Sequence, residues 1–383
     1  MIVNIVSFSS TGGAGNVAKT LVHGFRTNGI EARPIFPFKG NLRGSPFANP
    51  SLTAQAATDE YLIKSRRWES LISLRRDQNT VLSSKLPEAD LTVFRWMNGM
   101  LGRRFIALNP SIKNLVWGLD DMNPFTGACH YSGVCRGFEL GCDDCPAVRP
   151  AFRGLVRRNL QRKVDFVHDY EPTYVAPTDW ILREFTRSYL GNQEVIKISN
   201  PLQAEFFRRV DEGKKLGGRL RILLVAADLD DPTKGVWDVI DTLQSLSESG
   251  KVSITFVGRS SIGLTRRFPN EVFTGSLDSE GVRLQMRSHD VLLVPSLFEN
   301  AGTVVAEAAS QGTPSIARNV GGMPEMTGFG EIGYLFQDSL ELKEIVKSLT
   351  LAEISNRGSI AKEWAQKFRP SLIASQYVEA FLS

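Results

Sequence analysis

Two glutamates, Glu299 and Glu307, stand with seven residues between them in the stretch FENAGTVVAEAASQGTP, residues 298–314. An ionised carboxylate only accepts hydrogen bonds, and its two oxygens suit the paired hydroxyls of a sugar or a ribose. Gly302 and Thr303 open an Ala- and Val-rich segment that ends at Gly312, which reads as a helix carrying Thr303 and Glu307 in its first turns. Backbone N–H groups at such a start attract phosphate, so Asn300, Ala301, Gly302 and Thr303 are candidate diphosphate donors. The pattern fits a sugar nucleotide, with one Glu on the sugar and the other on the ribose. The plainer alternative is two carboxylates that favour a helix dipole.

Other residues could share this chemistry. Lys234-Gly235 falls just before a helical pattern, where an ammonium can meet a diphosphate leaving group; a surface lysine is the alternative. Gly258 makes a turn after the aliphatic run Val252 to Val257. SSTGGAG, residues 9–15, follows an apolar run and precedes a helix, so backbone at Gly12 and Gly13 could approach a phosphate, or simply turn the chain. Asp120 and Asp121 follow another short strand pattern; Asp120 could accept a hydroxyl proton, hold a sugar hydroxyl or cap a helix. The four cysteines, Cys129, Cys135, Cys142 and Cys145, fall in one short stretch. In a reducing compartment such a cluster favours a structural metal over disulfides, and four thiolates suit tetrahedral zinc. Unligated cysteines in a loop are the alternative, and His130 is too close to Cys129 to make a good further ligand.

The longer stretch FENAGTVVAEAASQGTPSIARNVGGMPEM resembles the E-x7-E region of family 4 retaining glycosyltransferases with the GT-B fold, including the Gly-Thr-Pro before the next strand and the Gly-Gly-Met-Pro-Glu turn. GLDDMNPFTGACHYSGVCRGFELGCDDCP is similar to the corresponding stretch of exopolysaccharide glycosyltransferases of the colanic-acid type, through its F-T-G-x-C-H-Y and C-x-x-C-P elements. VAPTDW and IKISNP resemble the end of that family's N-terminal domain. The resemblance implies an α/β chain of the GT-B class, two Rossmann-like domains whose parallel sheets face an interdomain cleft. Residues 1–201 would be the acceptor-side domain with the Cys loop 129–145, residues 202–367 the nucleotide-sugar domain, and 368–383 a helix crossing back to the first domain.

Carried over residue by residue, the resemblance puts Glu299 on the donor sugar, Glu307 on the ribose, Lys234 on the diphosphate and the Gly12, Gly13 and Gly15 loop over the donor phosphates and acceptor. The implied reaction is retaining transfer of a hexosyl unit from a nucleotide-diphosphate sugar to a glycan or lipid-linked glycan acceptor in polysaccharide biosynthesis, with no cofactor for catalysis. Two positions depart from the pattern: Asp120 stands where relatives commonly have His, and Asp228 is the closest match to an Arg in the loop before the lysine. Those departures keep two other readings in view, a nucleotide-sugar epimerase or hydrolase and a non-catalytic binder of nucleotide sugars.

The positioning elements follow a repeating pattern. Apolar runs at Ile2 to Phe8, Leu91 to Phe94, Leu115 to Trp117 and Ile196 to Pro201 read as strands, Val175 to Trp180 with Leu182 and Phe185 reads as a strand running into a helix, and the pattern restarts at Leu220 to Ala226, Val252 to Val257 and Val291 to Val294. Ala18, Leu21, Val22 and Phe25, and again Val236, Val239, Ile240 and Leu243, recur at helical spacing. Strands alternating with helices imply parallel sheets. Leu372, Ile373, Tyr377, Val378 and Phe381 give the tail an amphipathic face. Residues 39–84 lack periodicity, where relatives recognise the acceptor.

A chain of 383 residues with 42% hydrophobic content is long enough for two cores. Its charge of +4 is too small to argue for nucleic acid without a patch. Arg149, Arg153, Arg157, Arg158, Arg162 and Lys163 are the one dense basic run; it could face anionic lipid or a diphosphate acceptor, or be a solvated helix face. The apolar opening stops at Ser9, and no run reaches membrane length. The expectation is a soluble, cytoplasmic chain, with peripheral contact at the inner membrane face.

Overall fold

The computed structural model describes residues 1–36, 72, 85–97, 103–110, 112–208 and 218–383. The expected acceptor-recognition region at 39–84 therefore lies outside the described residues apart from Ile72, and so does the polar stretch with Lys214 and Lys215. The chain divides into two compact units, Met1–Pro201 with Pro370–Ser383, and Leu202–Arg369.

The first unit is built on β1 (Ile2–Val6), α1 (Gly12–Thr27), β2 (Glu31–Ile35), β3 (Leu91–Phe94), α2 (Arg103–Leu108), β4 (Leu115–Gly118), α3 (Arg153–Tyr170), β5 (Thr173–Ala176), α4 (Asp179–Thr186) and β6 (Val195–Lys197). All neighbouring strands run parallel, in the order β2-β1-β3-β4-β5-β6. Every residue of β3 and β4 is buried, as strands covered on both faces must be, and this explains their unbroken apolar runs.

The second unit contains β7 (Leu220–Asp228), α5 (Ile240–Glu248), β8 (Val252–Arg259), α6 (Ile262–Arg267), β9 (Val272–Gly275), α7 (Ser279–Ser288), β10 (Val291–Val294), α8 (Thr303–Ser310), β11 (Ser315–Arg318), α9 (Met323–Met326), β12 (Tyr334–Phe336), α10 (Ser339–Ser348) and α11 (Leu351–Trp364). Its sheet is also parallel, in the order β12-β11-β10-β7-β8-β9. The first and last segments of this unit are tied by the bond from the Leu202 N–H to the Phe368 carbonyl, 3.0 Å. Edge strands β2, β9 and β12 escape the sequence pattern because an edge buries only part of each strand.

The last helix, α12 (Pro370–Phe381), packs in the first unit. Its contact with α1 is close because Gly24 has no side chain: a Cβ there would lie 2.2 Å from the Pro370 carbonyl oxygen. Phe25 and Tyr377 meet edge-on at 6.0 Å, and the Asn28 amide donates to the Ser371 carbonyl at 2.9 Å. Gly24→Val should force α12 off α1 and cost about 1–3 kcal/mol. A thermal scan checks this; an unchanged midpoint would mean that the interface yields freely.

Candidate functional site

In the second unit, two loops leave neighbouring strands and are stitched together. β10 ends at Val294 and is followed by Pro295, Ser296 and Leu297; the Leu297 N–H donates to the Thr233 carbonyl at 2.8 Å. Gly235 has φ +64°, and a Cβ on it would lie 2.1 Å from the Pro295 oxygen, so the Lys234-Gly235 turn seats against the exit of β10 only with glycine there. This seating lets Lys234 Nζ donate to Glu299 Oε1 at 2.7 Å, while Ser296 Oγ donates to the same oxygen at 3.1 Å. From below, the Gly322 N–H bonds the Glu299 carbonyl at 3.2 Å. Burial by itself would lower the Lys234 ammonium, but the Glu299 carboxylate outweighs it, and the pKa stands above its ordinary value. The lysine therefore stays a cation.

Immediately downstream, Gly302 in the left-handed region opens α8. No side chain among the described residues caps this helix, and its first turn holds no acidic residue, so its leading N–H groups are not already satisfied by a side chain or screened by a local carboxylate. Helices α4, α6, α7, α10 and α11 are capped by Thr178, Ser261, Asp278, Asp338 and Thr350 respectively. Asn300 is buried just before Ala301. Glu307 lies on the second turn of α8, and its carboxylate has no hydrogen-bond or ion-pair partner among the described residues. Burial pushes its pKa up to about 7. The structure thus joins Glu299 to Lys234 directly and places Glu307 on the helix that follows.

Gly258 lies within β8 with φ +134°, and a Cβ would stand 1.8 Å from the Ala226 oxygen, so strand packing already accounts for this glycine. The Asp228, Asp230 and Asp231 carboxylates are engaged within their own surroundings: Asp228 with Arg259 at 3.1 Å, Asp230 with Ser261 Oγ at 2.8 Å and Trp237 Nε1 at 2.9 Å, and Asp231 with the Thr233 N–H at 2.9 Å. Arg259 was not singled out by sequence reasoning. It ends β8 beside the loop that carries Lys234, and its side chain is 57% exposed.

In the first unit, the expected glycine loop at 9–15 is shorter than the sequence suggested: Ser9 to Thr11 lead from β1 into α1, whose first residues are Gly12 and Gly13. Cβ atoms built on Gly12 and Gly13 would meet nothing within 4 Å, and Thr11 makes no side-chain cap to α1. The backbone is open at this point. Past the ends of β3 and β4 lies a buried polar group: Arg95, 1% exposed, pairs with Asp120 and donates to Asn200 Oδ1 at 2.7 Å and to the Tyr377 hydroxyl at 3.4 Å. Burial raises the Asp120 pKa more than the attraction of Arg95 lowers it. Asp120 is thus the counter-ion of a buried arginine that also bonds α12. Sequence patterns gave no sign of this, because Arg95, Asp120, Asn200 and Tyr377 are far apart along the chain.

The Cys stretch corrects one expectation. Among the described residues no group of three or more His, Cys, Asp or Glu side chains is arranged to hold a metal ion, so zinc at Cys129, Cys135, Cys142 and Cys145 is not supported; all four are free cysteines. Burial raises the thiols of Cys129, Cys142 (to about 11) and Cys145. The loop is ordered by other means. Lys163 donates to the Asn123 carbonyl and, at 2.7 Å, to the Thr126 carbonyl, while Phe125 packs on Phe138 and Phe185. Arg153 pairs with Asp144 and Arg157 with Asp143. Of the basic run on α3, Arg153, Arg157 and Lys163 thus hold the Cys loop, while Arg158 bonds the Gly154 carbonyl and Arg162 the Asn159 side chain of their own helix. Among the described residues no helix is long and apolar enough to cross a membrane.

Residues 220–351 match the family described as glycosyl transferases group 1. Over 193 residues the chain is 28% identical to an uncharacterized 41.2 kDa protein in the cps region of Klebsiella pneumoniae, covering 49% of this chain and 53% of that one. It is 21% identical over 291 residues to the putative colanic acid biosynthesis glycosyl transferase WcaC of Escherichia coli, covering 70% and 67%. The chain spans a little over half the length of the first curated relatives it matches. Among solved structures, Anabaena Alr3699/HepE in complex with UDP and glucose superposes with a TM-score of 0.61 at 17% identity, over 99% of both chains.

Proposed function

We propose that this chain, which carries a glycosyl transferases group 1 domain on a GT-B fold, is a retaining glycosyltransferase that moves a hexosyl unit from a nucleotide-diphosphate sugar to a hydroxyl of a glycan or lipid-linked glycan in polysaccharide biosynthesis. The observation that carries this reading is a helix start without a capping side chain, preceded by the Lys234–Glu299 pair and followed one turn later by a carboxylate with no partner. Relatives named for glycan assembly and a similarly folded protein crystallised with UDP and glucose support it.

In this reading the diphosphate lies on the N–H groups of Ala301 to Thr303 and draws Lys234 Nζ from Glu299, so the ammonium is shared as negative charge grows on the leaving group. Glu299, still fixed by Ser296, orients the donor sugar. In the first unit Gly12 and Gly13 leave backbone that a phosphate can approach, and in the second Gly258 keeps the end of β8 narrow. Asp120 acts through Arg95, setting the mouth of the first sheet. The acceptor hydroxyl attacks the anomeric carbon on the face the diphosphate leaves, and its proton passes to the departing phosphate oxygen.

Incubation with UDP-, GDP- and ADP-sugars, with and without glycoside acceptors, tests the proposal through nucleoside diphosphate release and thermal shift. A donor that raises the melting temperature and is consumed only with acceptor supports it. No response to any nucleotide sugar overturns it, and a rearranged or hydrolysed donor without transfer would mark an epimerase or hydrolase.

Glu307 supplies a pH signature. Only its ionised form can accept both ribose hydroxyls, so UDP-sugar affinity should fall about tenfold between pH 8 and pH 6, through the pKa of about 7. The linkage to folding has the opposite sense. A folded-state pKa above the ordinary 4.5 means that the native state holds the proton more tightly, so stability declines as pH rises from 4.5 through 7. Glu307→Gln should flatten the affinity profile and raise the melting temperature more at pH 8 than at pH 5. Calorimetric titration and thermal scans at both pH values decide, and an unchanged profile removes Glu307 from the site.

A further inference from the structure

A second cluster at the mouth of the first sheet takes no part in the chemistry proposed so far. Trp96 follows β3, and its carbonyl accepts from the Phe8 N–H at 2.9 Å, which ties it to the chain leaving β1 for the open glycine loop. Asp121 follows β4. Its Oδ1 accepts from the Asn123 N–H at 2.7 Å, and its Oδ2 accepts from Trp96 Nε1 at 3.1 Å and from His130 Nδ1 at 2.6 Å. An ionised carboxylate can only accept, so Nδ1 carries the hydrogen and a neutral ring presents Nε2 as an acceptor. The backbone of His130 is held as well, through the Met122 N–H on its carbonyl at 3.0 Å.

The imidazole is thus fixed in position and in tautomer. Its Nε2 has no partner among the described residues, and the side chain is 16% exposed. The ring centroids of His130 and Trp96 lie 5.9 Å apart with a 34° tilt. An oriented acceptor beside a half-buried indole, at the carboxyl ends of parallel strands, suits a ligand with hydroxyls on its rim and an apolar C–H face. A pyranose ring has that chemistry.

Resting on the glycosyl-transfer reading, we propose that His130, positioned by Asp121, accepts a hydrogen bond from a pyranose hydroxyl. The ring belongs either to the donor sugar or to the acceptor glycan. The protein has four histidines, His23, His130, His168 and His289, so the Cε1–Hε1 NMR signal of His130 is assignable with His130→Gln or by backbone connectivity. The probes are UDP, UDP-glucose, and the methyl glycosides of glucose, galactose and mannose. A saturable shift of the His130 signal with a sugar-bearing probe, absent with UDP alone, is the expected result. A response to UDP-glucose alone assigns the donor sugar to this position, and a response to a glycoside assigns the acceptor. If UDP raises the melting temperature but no sugar probe moves His130, this inference falls and the transfer reading stands. If UDP does not bind, the transfer reading falls, while the glycoside arms still decide for or against His130. Asp121→Asn should mix the two ring tautomers, seen in the His130 Nδ1 and Nε2 shifts; an unaltered tautomer would remove Asp121 as the positioning group.

Discussion

Replacing Glu299 by Ala is expected to lower kcat by about 100- to 1,000-fold while leaving nucleoside diphosphate affinity within a few-fold of the parent protein. The split follows from the geometry. Glu299 is the group that Lys234 and Ser296 both touch, so it organises the loop from which the sugar is oriented. The backbone of α8 proposed to receive the diphosphate keeps its place, held by the Gly302 turn and the strand before it. Lys234 remains available to phosphate, but it loses the carboxylate that offsets its burial. Its pKa should therefore drop, and in Glu299→Ala any residual transfer should fade at a lower alkaline pH than in the parent.

Lys234→Ala should behave differently, weakening diphosphate binding and turnover together. Steady-state rates across pH with calorimetric titration of UDP separate the two variants. Turnover of Glu299→Ala within threefold of the parent would sink the assignment of this residue to the donor sugar.

Asp120→Ala should be the most destabilising single change in the first unit. Arg95 is buried, and Asp120 is the carboxylate among its partners; Asn200 and Tyr377 are neutral. Removing one member of a buried pair leaves the other charge uncompensated, at a cost of about 3–5 kcal/mol. For units of this size that corresponds to a fall in melting temperature on the order of 10 °C. Because Arg95 also bonds Tyr377, the loss should loosen α12, and hydrogen exchange should speed up in residues 370–381 before the rest of the unit. Asp120→Asn, which keeps an acceptor, should recover part of the loss. A stable Asp120→Ala protein with reduced transfer alone would instead give this carboxylate a direct role in catalysis.

The parallel strands could be read from the sequence where they are central. Leu91–Phe94, Leu115–Gly118 and Val291–Val294 are apolar throughout because both faces are covered, and such runs do not need neighbours to identify them. The edge strands β2 and β9 alternate too weakly over too few residues. Glu299, Glu307 and Lys234 stood out because their spacing is local to a strand, a turn and a helix start. Zinc was suggested by cysteine count and spacing, but neither fixes where the sulfurs point, and among the described residues they form no group arranged to hold a metal ion.

Sequence alone determined two parallel α/β halves and singled out the two glutamates and the lysine as candidates, since periodicity and residue type are properties of the chain itself. Tertiary structure decided the partners. It joined Lys234 to Glu299 across 65 residues, turned Asp120 toward Arg95, set Arg153 and Arg157 against the Cys loop, and brought His130 to Asp121 and Trp96. The reason is physical: a charge or ring acquires its role from the groups that replace its water, and those come from remote strands that meet only when the sheets form.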